Sequence, residues 1–116
     1  MSESCCVATH TIHGVDAHPR PGEAIEKGAD GLIAVAAGAG GHAGTTSPMA
    51  LIQEIREWFD GPIALSGAIA TGEALLAARA MGADFGYTGS PFIATTEANA
   101  QQDYKDMIVS SGAEDI

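Results

Sequence analysis

The sequence has few basic residues, few cysteines and few aromatic residues. Its 116 residues include 5 Lys or Arg against 15 Asp or Glu, which gives a formal net charge of -10. This balance excludes a basic surface that could follow the phosphates of a nucleic acid, so no nucleic-acid partner is expected. The two cysteines, Cys5 and Cys6, are adjacent. Neighbouring cysteines rarely bridge each other, so reduced thiols and a cytoplasmic location are expected.

Long apolar runs are also lacking. The longest, such as "LIAVAA", are far shorter than a membrane span, and the start "MSESCCVATH" has neither the basic nor the apolar region of a signal peptide. We therefore expect no membrane association.

A zinc site is not expected either. The residues that could suggest one are Cys5, Cys6, His10, His13 and His18. Adjacent cysteines and a two-residue histidine gap do not match the usual ligand spacing, so the sequence predicts no metal site.

What the sequence does have is a repeated order of strand, loop and helix within one domain. "DGLIAVAA" reads as a buried strand, and "SPMALIQEIREWF" as a helix in which Ser47 is the N-cap and Pro48 lies in the first turn. The apolar stripe of this helix comprises Leu51, Ile52, Ile55, Trp58 and Phe59. Core packing is expected for Trp58 and for Tyr104, whereas Arg56 and Arg79 are expected to face solvent.

Two further units follow. "GPIALSG" and "ADFGYTGS" are predicted strands, and "TGEALLAARAMG" is a helix with Thr71 as N-cap and Gly82 just past its end. A last helix is predicted within "TEANAQQDYKDMIVSSG", a short helix in "GEAIEKG", and an earlier strand in "VATHTIHGV". The triplet Gly-Ala-Asp precedes two of the strands, which indicates an internal repeat.

This pattern predicts the fold class. Strands that are apolar throughout are typical of a parallel sheet covered by helices, so the chain is α/β. A TIM (β/α)₈ barrel needs about 250 residues, and the parallel βα units here account for part of one, about half. A free-standing doubly wound sheet is the alternative that spacing alone leaves open.

The loops after the strands are rich in glycine. They read "GAGGHAGTT", "SGAIATG" and "TGSPF". In α/β folds, loops at the carboxyl ends of the strands converge on the active site, and successive backbone N–H groups form a concavity for an anion such as phosphate. His42 in the first loop is either a general base or an ordinary surface histidine, and its position gives both interpretations equal weight.

Four short motifs occur in this order: the "AGGH" loop ending at His42, the "GAIA" loop at residues 67–70, the "GS" turn and "FIATTE", which ends at Glu97. Their order and separation resemble the nitronate monooxygenase family, formerly called 2-nitropropane dioxygenases. The resemblance implies an FMN-dependent barrel that oxidises alkyl nitronates with O₂ to carbonyl compounds and nitrite. It runs from about residue 23 to the C-terminus, so we expect residues 23–116 to be the C-terminal part of an FMN-binding TIM barrel and residues 1–22 to be a poorly matching segment.

The resemblance also implies roles for individual residues. His42 corresponds to the family's catalytic histidine, which takes the α-proton of a nitroalkane or positions the nitronate. The residues expected to bind FMN are Gly40, Gly41, Ser66, Gly67, Ala68, Gly89 and Ser90. The last four form two turns that hold the phosphate through main-chain N–H groups. Ala68 replaces the family's usual second glycine, a change of little consequence unless that position needs a positive φ.

Two alternatives accompany this interpretation. One is an FMN-dependent enoyl-acyl-carrier-protein reductase, which shares the barrel and a similar loop. The other is a non-catalytic half-barrel, because the N-terminal half of a whole barrel is expected to be missing from this chain. Such a truncated barrel exposes sheet edges and an apolar face, so self-association through these surfaces is expected.

Overall fold

A computed structural model of the chain describes residues 12–15, 23–26, 28–40 and 44–116. The strands within these residues are β1 (Ile12–Val15), β2 (Gly31–Val35), β3 (Ile63–Ser66) and β4 (Phe85–Tyr87). The helices are α1 (Glu23–Glu26), α2 (Pro48–Arg56), α3 (Gly72–Met81), α4 (Ser90–Ile93) and α5 (Gln102–Ser110), followed by a 3₁₀ helix (Ala113–Asp115).

The four described strands form one parallel sheet in the order β1-β2-β3-β4. A doubly wound sheet reverses its strand order at a switch point, whereas a barrel keeps neighbouring strands in chain order. The observed order therefore confirms that the parallel βα units form part of a TIM barrel. The predicted early strand is confirmed as β1.

The core lies between one face of the sheet and the helices α2 and α3. Leu32 and Ala34 of β2 pair in register with Ile63 and Leu65 of β3, and all four are at most 1% exposed. The other buried core residues are Ala36, Leu51, Ile52, Ile55, Ala78 and Ala83. Because side chains alternate between the faces of a strand, these residues define the helix-covered side.

The opposite face of the sheet is more open. It carries Ile33, Val35 and Ala64, which are half-buried, and ends on β4 with Phe85 and Tyr87, which are 61% and 55% exposed. In a closed barrel this face points inward and packs against other strands. Within the described residues, the helices thus cover one face of the sheet.

The two Gly-Ala-Asp triplets are matching turns at the amino ends of strands. Gly28 and Gly82 both have left-handed backbone conformations, with φ of 94° and 114°. The following residues, Ala29 and Ala83, are 8% and 4% exposed and anchor the turns in the core. The two triplets therefore form the same kind of turn between the end of a helix and the start of a strand, which confirms the predicted repeat.

The helix boundaries match the sequence signals only in part. The Thr71 hydroxyl accepts a hydrogen bond from the Ala74 N–H at 3.2 Å, and Gly82 ends α3, as predicted. Ser47 occupies the N-cap position of α2, but its side chain makes no capping hydrogen bond. The last predicted helix begins only at Gln102.

Two aromatic residues lie outside the core, contrary to prediction. Helix α2 ends at Arg56, so Trp58 falls beyond the periodic stripe; it is 37% exposed and contacts Phe59 with ring centroids 5.9 Å apart. Tyr104 is 47% exposed, and α5 buries no residue. In the part of the chain described here, no helix has the length and apolarity to cross a membrane.

Candidate functional site

Three loops leave the carboxyl ends of neighbouring strands and meet at one edge of the sheet. They follow β2, β3 and β4 and comprise residues 36–47, 67–71 and 88–89. Gly41 and His42, both predicted site residues, lie outside the described residues. The other predicted site residues lie within the described part of the chain.

The first loop is closed at its base by main-chain contacts. The Ala37 N–H donates to the Thr46 carbonyl oxygen at 2.9 Å, so the chain leaves and returns at nearly the same point. Gly44 lies directly against the carbonyl of Val35, where a Cβ would overlap the oxygen. The described residues on either side of His42 are therefore held at the carboxyl end of β2.

Main-chain hydrogen bonds also join the first loop to the second. The Ala36 N–H donates to the Ser66 carbonyl oxygen at 2.8 Å, and the Ala68 N–H donates to the Gly38 carbonyl oxygen at 3.0 Å. A Cβ on Gly67 would lie 2.7 Å from the Ala37 oxygen, so that position needs glycine. The predicted site residue Ser66 is 9% exposed at the end of β3. These contacts bring the first two predicted loops together.

Ala68, which stands where the resembled family usually has a glycine, lies at a position with a positive φ. Its φ is 52°, and it is the only residue other than glycine with a positive φ in the described part of the chain. A left-handed conformation costs an ordinary residue about 1–2 kcal/mol. The change from the family's glycine is therefore not neutral for the backbone. In addition, the Ala68 N–H already has an acceptor in Gly38.

The second and third loops are linked by a side chain that the sequence analysis did not single out. The Thr88 hydroxyl donates to the Ile69 carbonyl oxygen at 2.7 Å. The last paired residues of β3 and β4 are Ser66 and Tyr87, so this bond continues the contact beyond the sheet. A threonine directly before the "GS" turn was the only signal that could have indicated it.

The glycines of these loops fall into two groups. Gly38 and Gly67 have positive φ and closely approach their neighbours, so the fold requires them. In contrast, a Cβ on Gly40 or Gly89 would meet no atom within 4 Å in the described part of the chain. Gly89 has a φ of -136°, which other residues also adopt. Within the described residues, neither packing nor a positive φ explains these two glycines, and both lie at predicted cofactor-binding positions.

Electrostatically, the three loops contain no Lys, Arg, Asp or Glu. An anion at this edge would therefore depend on backbone N–H groups and on hydroxyl groups such as that of Ser90. Farther along, Glu97 lies at the end of the last motif. Hydrogen bonds from its own N–H and from the Thr96 hydroxyl, at 3.0 Å, lower the pKa of Glu97 and favour its ionised form.

The amino-terminal edge of the sheet is held together by Arg56, which the sequence predicted to face solvent. Its guanidinium donates to the carbonyl oxygens of Phe59, Gly61 and Gly82 and to the carboxylate of Asp84, at 2.7–3.2 Å. Its side chain is 26% exposed. The prediction was wrong because these acceptors come together only when β3 and β4 pair.

Asp84 completes this cluster. Its carboxylate accepts the N–H of Ile63 at 2.9 Å and the guanidinium of Arg56 at 2.9 Å. The backbone hydrogen bond from Ile63, followed by the Arg56 contacts, holds the pKa of Asp84 below its usual value. In barrels, groups at the amino edge of the sheet serve stability rather than catalysis. Among the residues that the structure describes, no cluster of His, Cys, Asp or Glu could hold a metal ion.

Comparisons with known proteins agree with this geometry. The chain is 33% identical to Rv1533 of Mycobacterium tuberculosis, a protein named as a monooxygenase, over 89 residues, which are 76% of this chain and 24% of that protein. FabK from Thermotoga maritima superposes with a TM-score of 0.83 at 30% identity, over 90% of this chain and 33% of FabK.

A second solved structure gives a similar result. Nitroalkane oxidase from Streptomyces ansochromogenes superposes with a TM-score of 0.74 at 33% identity, over 84% of this chain and 31% of the oxidase. This chain thus spans about a quarter to a third of the length of these relatives. The family model for nitronate monooxygenase matches residues 2–116, and the chain therefore belongs to the nitronate monooxygenase family.

Proposed function

We propose that this chain forms the carboxyl-terminal part of an FMN-dependent nitronate monooxygenase site. The observation that carries the proposal is the pair Gly40 and Gly89: both lie at the edge where the three loops meet, and among the described residues no atom lies within 4 Å of where their Cβ would be. Glycines that the fold does not need allow a planar cofactor and its phosphate to approach the backbone closely. Family membership supports the same conclusion.

The proposed phosphate contacts come from two turns. Gly67 in the second loop and Gly89 and Ser90 in the third would offer their N–H groups, with the Ser90 hydroxyl as a further donor. Ala68 would shape its turn rather than donate, since its N–H is bound to Gly38. Ser66, Gly40 and Gly41 would border the flavin ring. FMN, when bound, would supply the electron transfer to O₂.

His42 is the proposed base. It belongs to the loop whose base is closed between Ala37 and Thr46 at the carboxyl end of β2. An imidazole with an ordinary pKa of about 6.5 suits removal of the α-proton of a nitroalkane near neutral pH. The substrates would be an alkyl nitronate or nitroalkane and O₂. Two nitronate anions and one O₂ give two carbonyl compounds and two nitrite ions, which balances without an external reductant.

The first experiment reconstitutes the purified 116-residue chain with FMN. We expect a bound-flavin absorption band near about 450 nm and nitronate-dependent O₂ uptake without NAD(P)H. Consumption of NAD(P)H with an enoyl thioester would instead indicate an enoyl-acyl-carrier-protein reductase. Absence of any bound flavin would indicate a non-catalytic half-barrel and would contradict the proposal.

A His42→Ala variant separates the two roles of this residue. If His42 removes the proton, turnover of neutral nitroalkanes should fall by about 10²-fold or more, while turnover of the preformed nitronate anion should change little. Loss with both substrates would indicate that His42 positions the nitronate. Unchanged turnover with both would contradict any catalytic role, provided that FMN content matches that of the parent protein.

Self-association is proposed from the open face of the sheet. Phe85 and Tyr87 of β4 are 61% and 55% exposed, and exposed aromatic residues on a strand favour contact with another surface. Light scattering after size exclusion should detect species larger than a monomer. A monomer at every concentration tested would contradict this proposal. The cytoplasmic location stays a prediction from the sequence.

A further inference from the structure

The turn after β3 is held from two sides by its neighbours. On one side, the Ala68 N–H donates to the Gly38 carbonyl oxygen at 3.0 Å. On the other, the Ile69 carbonyl oxygen accepts the Thr88 hydroxyl at 2.7 Å. Since Ala68 and Ile69 are consecutive, both contacts act on the same short stretch of backbone. The position of this turn is therefore set by the loops on either side of it.

The side chain of Ile69 reinforces the second contact. A Cβ on Gly86 of β4 would lie 3.4 Å from Ile69 Cγ2 and 2.6 Å from Leu75 Cδ1, so the missing side chain of Gly86 makes room for both residues. Ile69 thus packs over β4 while its carbonyl binds the residue that follows β4. The turn after β3 therefore packs on β4, the strand that precedes the turn of Gly89 and Ser90.

We propose that Thr88 is a positioning residue for the cofactor phosphate. Its hydroxyl fixes the spacing between the turn that contains Gly67 and the turn that contains Gly89 and Ser90. N–H groups on both turns then meet a single anion without rearrangement on binding. The inference rests on the proposed function, because it assumes that these two turns bind the phosphate of FMN.

The chemistry of threonine fits this role. Its hydroxyl supplies the donor that the Ile69 carbonyl needs, and its branched Cβ restricts χ1, so that little side-chain freedom is lost when the bond forms. A valine at position 88 would keep the shape and remove only the donor. A serine would keep the donor and lose the restriction.

The test compares FMN with riboflavin, which lacks the phosphate. In Thr88→Val we expect FMN affinity to fall by about tenfold, the effect of losing roughly one well-formed hydrogen bond, while riboflavin affinity stays unchanged. Thr88→Ser should restore most of the FMN affinity. Thr95→Val is the matched control, because the Thr95 hydroxyl also donates to a carbonyl oxygen, that of Phe92, at 2.7 Å, but joins no two loops.

Specific outcomes would overturn the inference. If Thr88→Val keeps the parent's ratio of FMN to riboflavin affinity, or if both affinities fall equally, Thr88 does not act on the phosphate. If the parent itself binds FMN no better than riboflavin, the proposed phosphate site fails along with the inference, and the parent measurement alone identifies this case.

A second measurement does not depend on flavin binding. Titration of the parent with inorganic phosphate should shift the amide NMR signals of Gly67, Gly89 and Ser90 together, whereas in Thr88→Val the two turns should respond at different phosphate concentrations. Identical responses in the two proteins would contradict the positioning role.

Discussion

Different groups hold the two edges of the parallel sheet together. At the amino edge, the Arg56 side chain joins three backbone carbonyls and the Asp84 carboxylate, which in turn accepts the Ile63 N–H. At the carboxyl edge, the loops contain no charged residue, and the contacts described between different loops join main-chain groups, with the Thr88 hydroxyl as an added donor.

This difference indicates that the amino edge serves stability and that the carboxyl edge serves ligand binding. Charged side chains that satisfy several backbone acceptors stabilise the amino edge but leave few groups for a ligand. Loops held by their own backbone keep their surface available for a cofactor, and no described atom lies within 4 Å of a Cβ on Gly40 or Gly89. The same division between the faces is general in barrels. If the division holds in this chain, substitutions at the amino edge should change stability and substitutions at the carboxyl edge should change cofactor affinity.

The largest expected effect is at the amino edge. Arg56→Met should lower the free energy of unfolding by about 2–3 kcal/mol, because it removes charge-assisted hydrogen bonds to the Gly61 and Gly82 carbonyls and to Asp84. Urea unfolding measures the change. The control is Arg79→Met on α3, an exposed arginine, which should change stability by less than about 0.5 kcal/mol. Equal effects of the two variants would contradict the structural role of Arg56.

At the carboxyl edge, Gly89→Leu should act on the cofactor rather than on the fold. A side chain at this position meets open space in the described part of the chain, so unfolding should change little, by about 0.5 kcal/mol or less. FMN affinity should fall about tenfold or more, equivalent to about 1.4 kcal/mol, because the side chain would occupy the proposed phosphate position. Equilibrium dialysis measures the affinity, and a fully loaded variant would count against the phosphate assignment.

A smaller change is expected from Ala68→Gly. Because Ala68 has a φ of 52°, removing its Cβ should relieve strain and raise the free energy of unfolding by about 0.5–1 kcal/mol. Thermal unfolding measures the change. In Ala70→Gly, two residues away and without positive φ, the greater backbone freedom of glycine should instead lower stability by a similar amount. A loss of stability in both variants would show that Ala68 is not strained.

The smallest effect concerns pH. Because the pKa of Asp84 is lower in the folded state than in the unfolded state, where it is about 3.9, its contribution to stability is present above about pH 4 and is lost as the pH falls through the folded-state value. Asp84→Asn should therefore weaken the dependence of stability on pH in acid. Urea unfolding at a series of pH values would detect this, and an unchanged acid profile would contradict it.

Much of the fold could be predicted from local sequence signals. Apolar runs and glycine-rich loops indicated parallel βα units, Thr71 and Gly82 marked the ends of α3, and the repeated Gly-Ala-Asp triplet marked two equivalent turns. The helical periodicity of α2 predicts Trp58 in the core. Because α2 ends at Arg56, that periodicity does not apply to Trp58.

The sequence predicts where the three loops lie in the chain but not which groups join them. The motifs located the three loops, and the structure brings the bases of these loops to one edge. The bond between Thr88 and Ile69 joins residues 19 positions apart, and that between Arg56 and Gly82 joins residues 26 apart. Such partners become neighbours only when parallel strands pair, so no local pattern identifies them.

Periodicity, turn residues and motifs are local properties of the chain, and they are enough to indicate the family, the order of the βα units and the loops of the candidate site. The stabilising contacts of Arg56 at the amino edge, the left-handed conformation of Ala68 and the link that Thr88 makes between two loops depend instead on the folded arrangement. These properties arise from the pairing of β2, β3 and β4, which brings distant backbone carbonyls within reach of a donor.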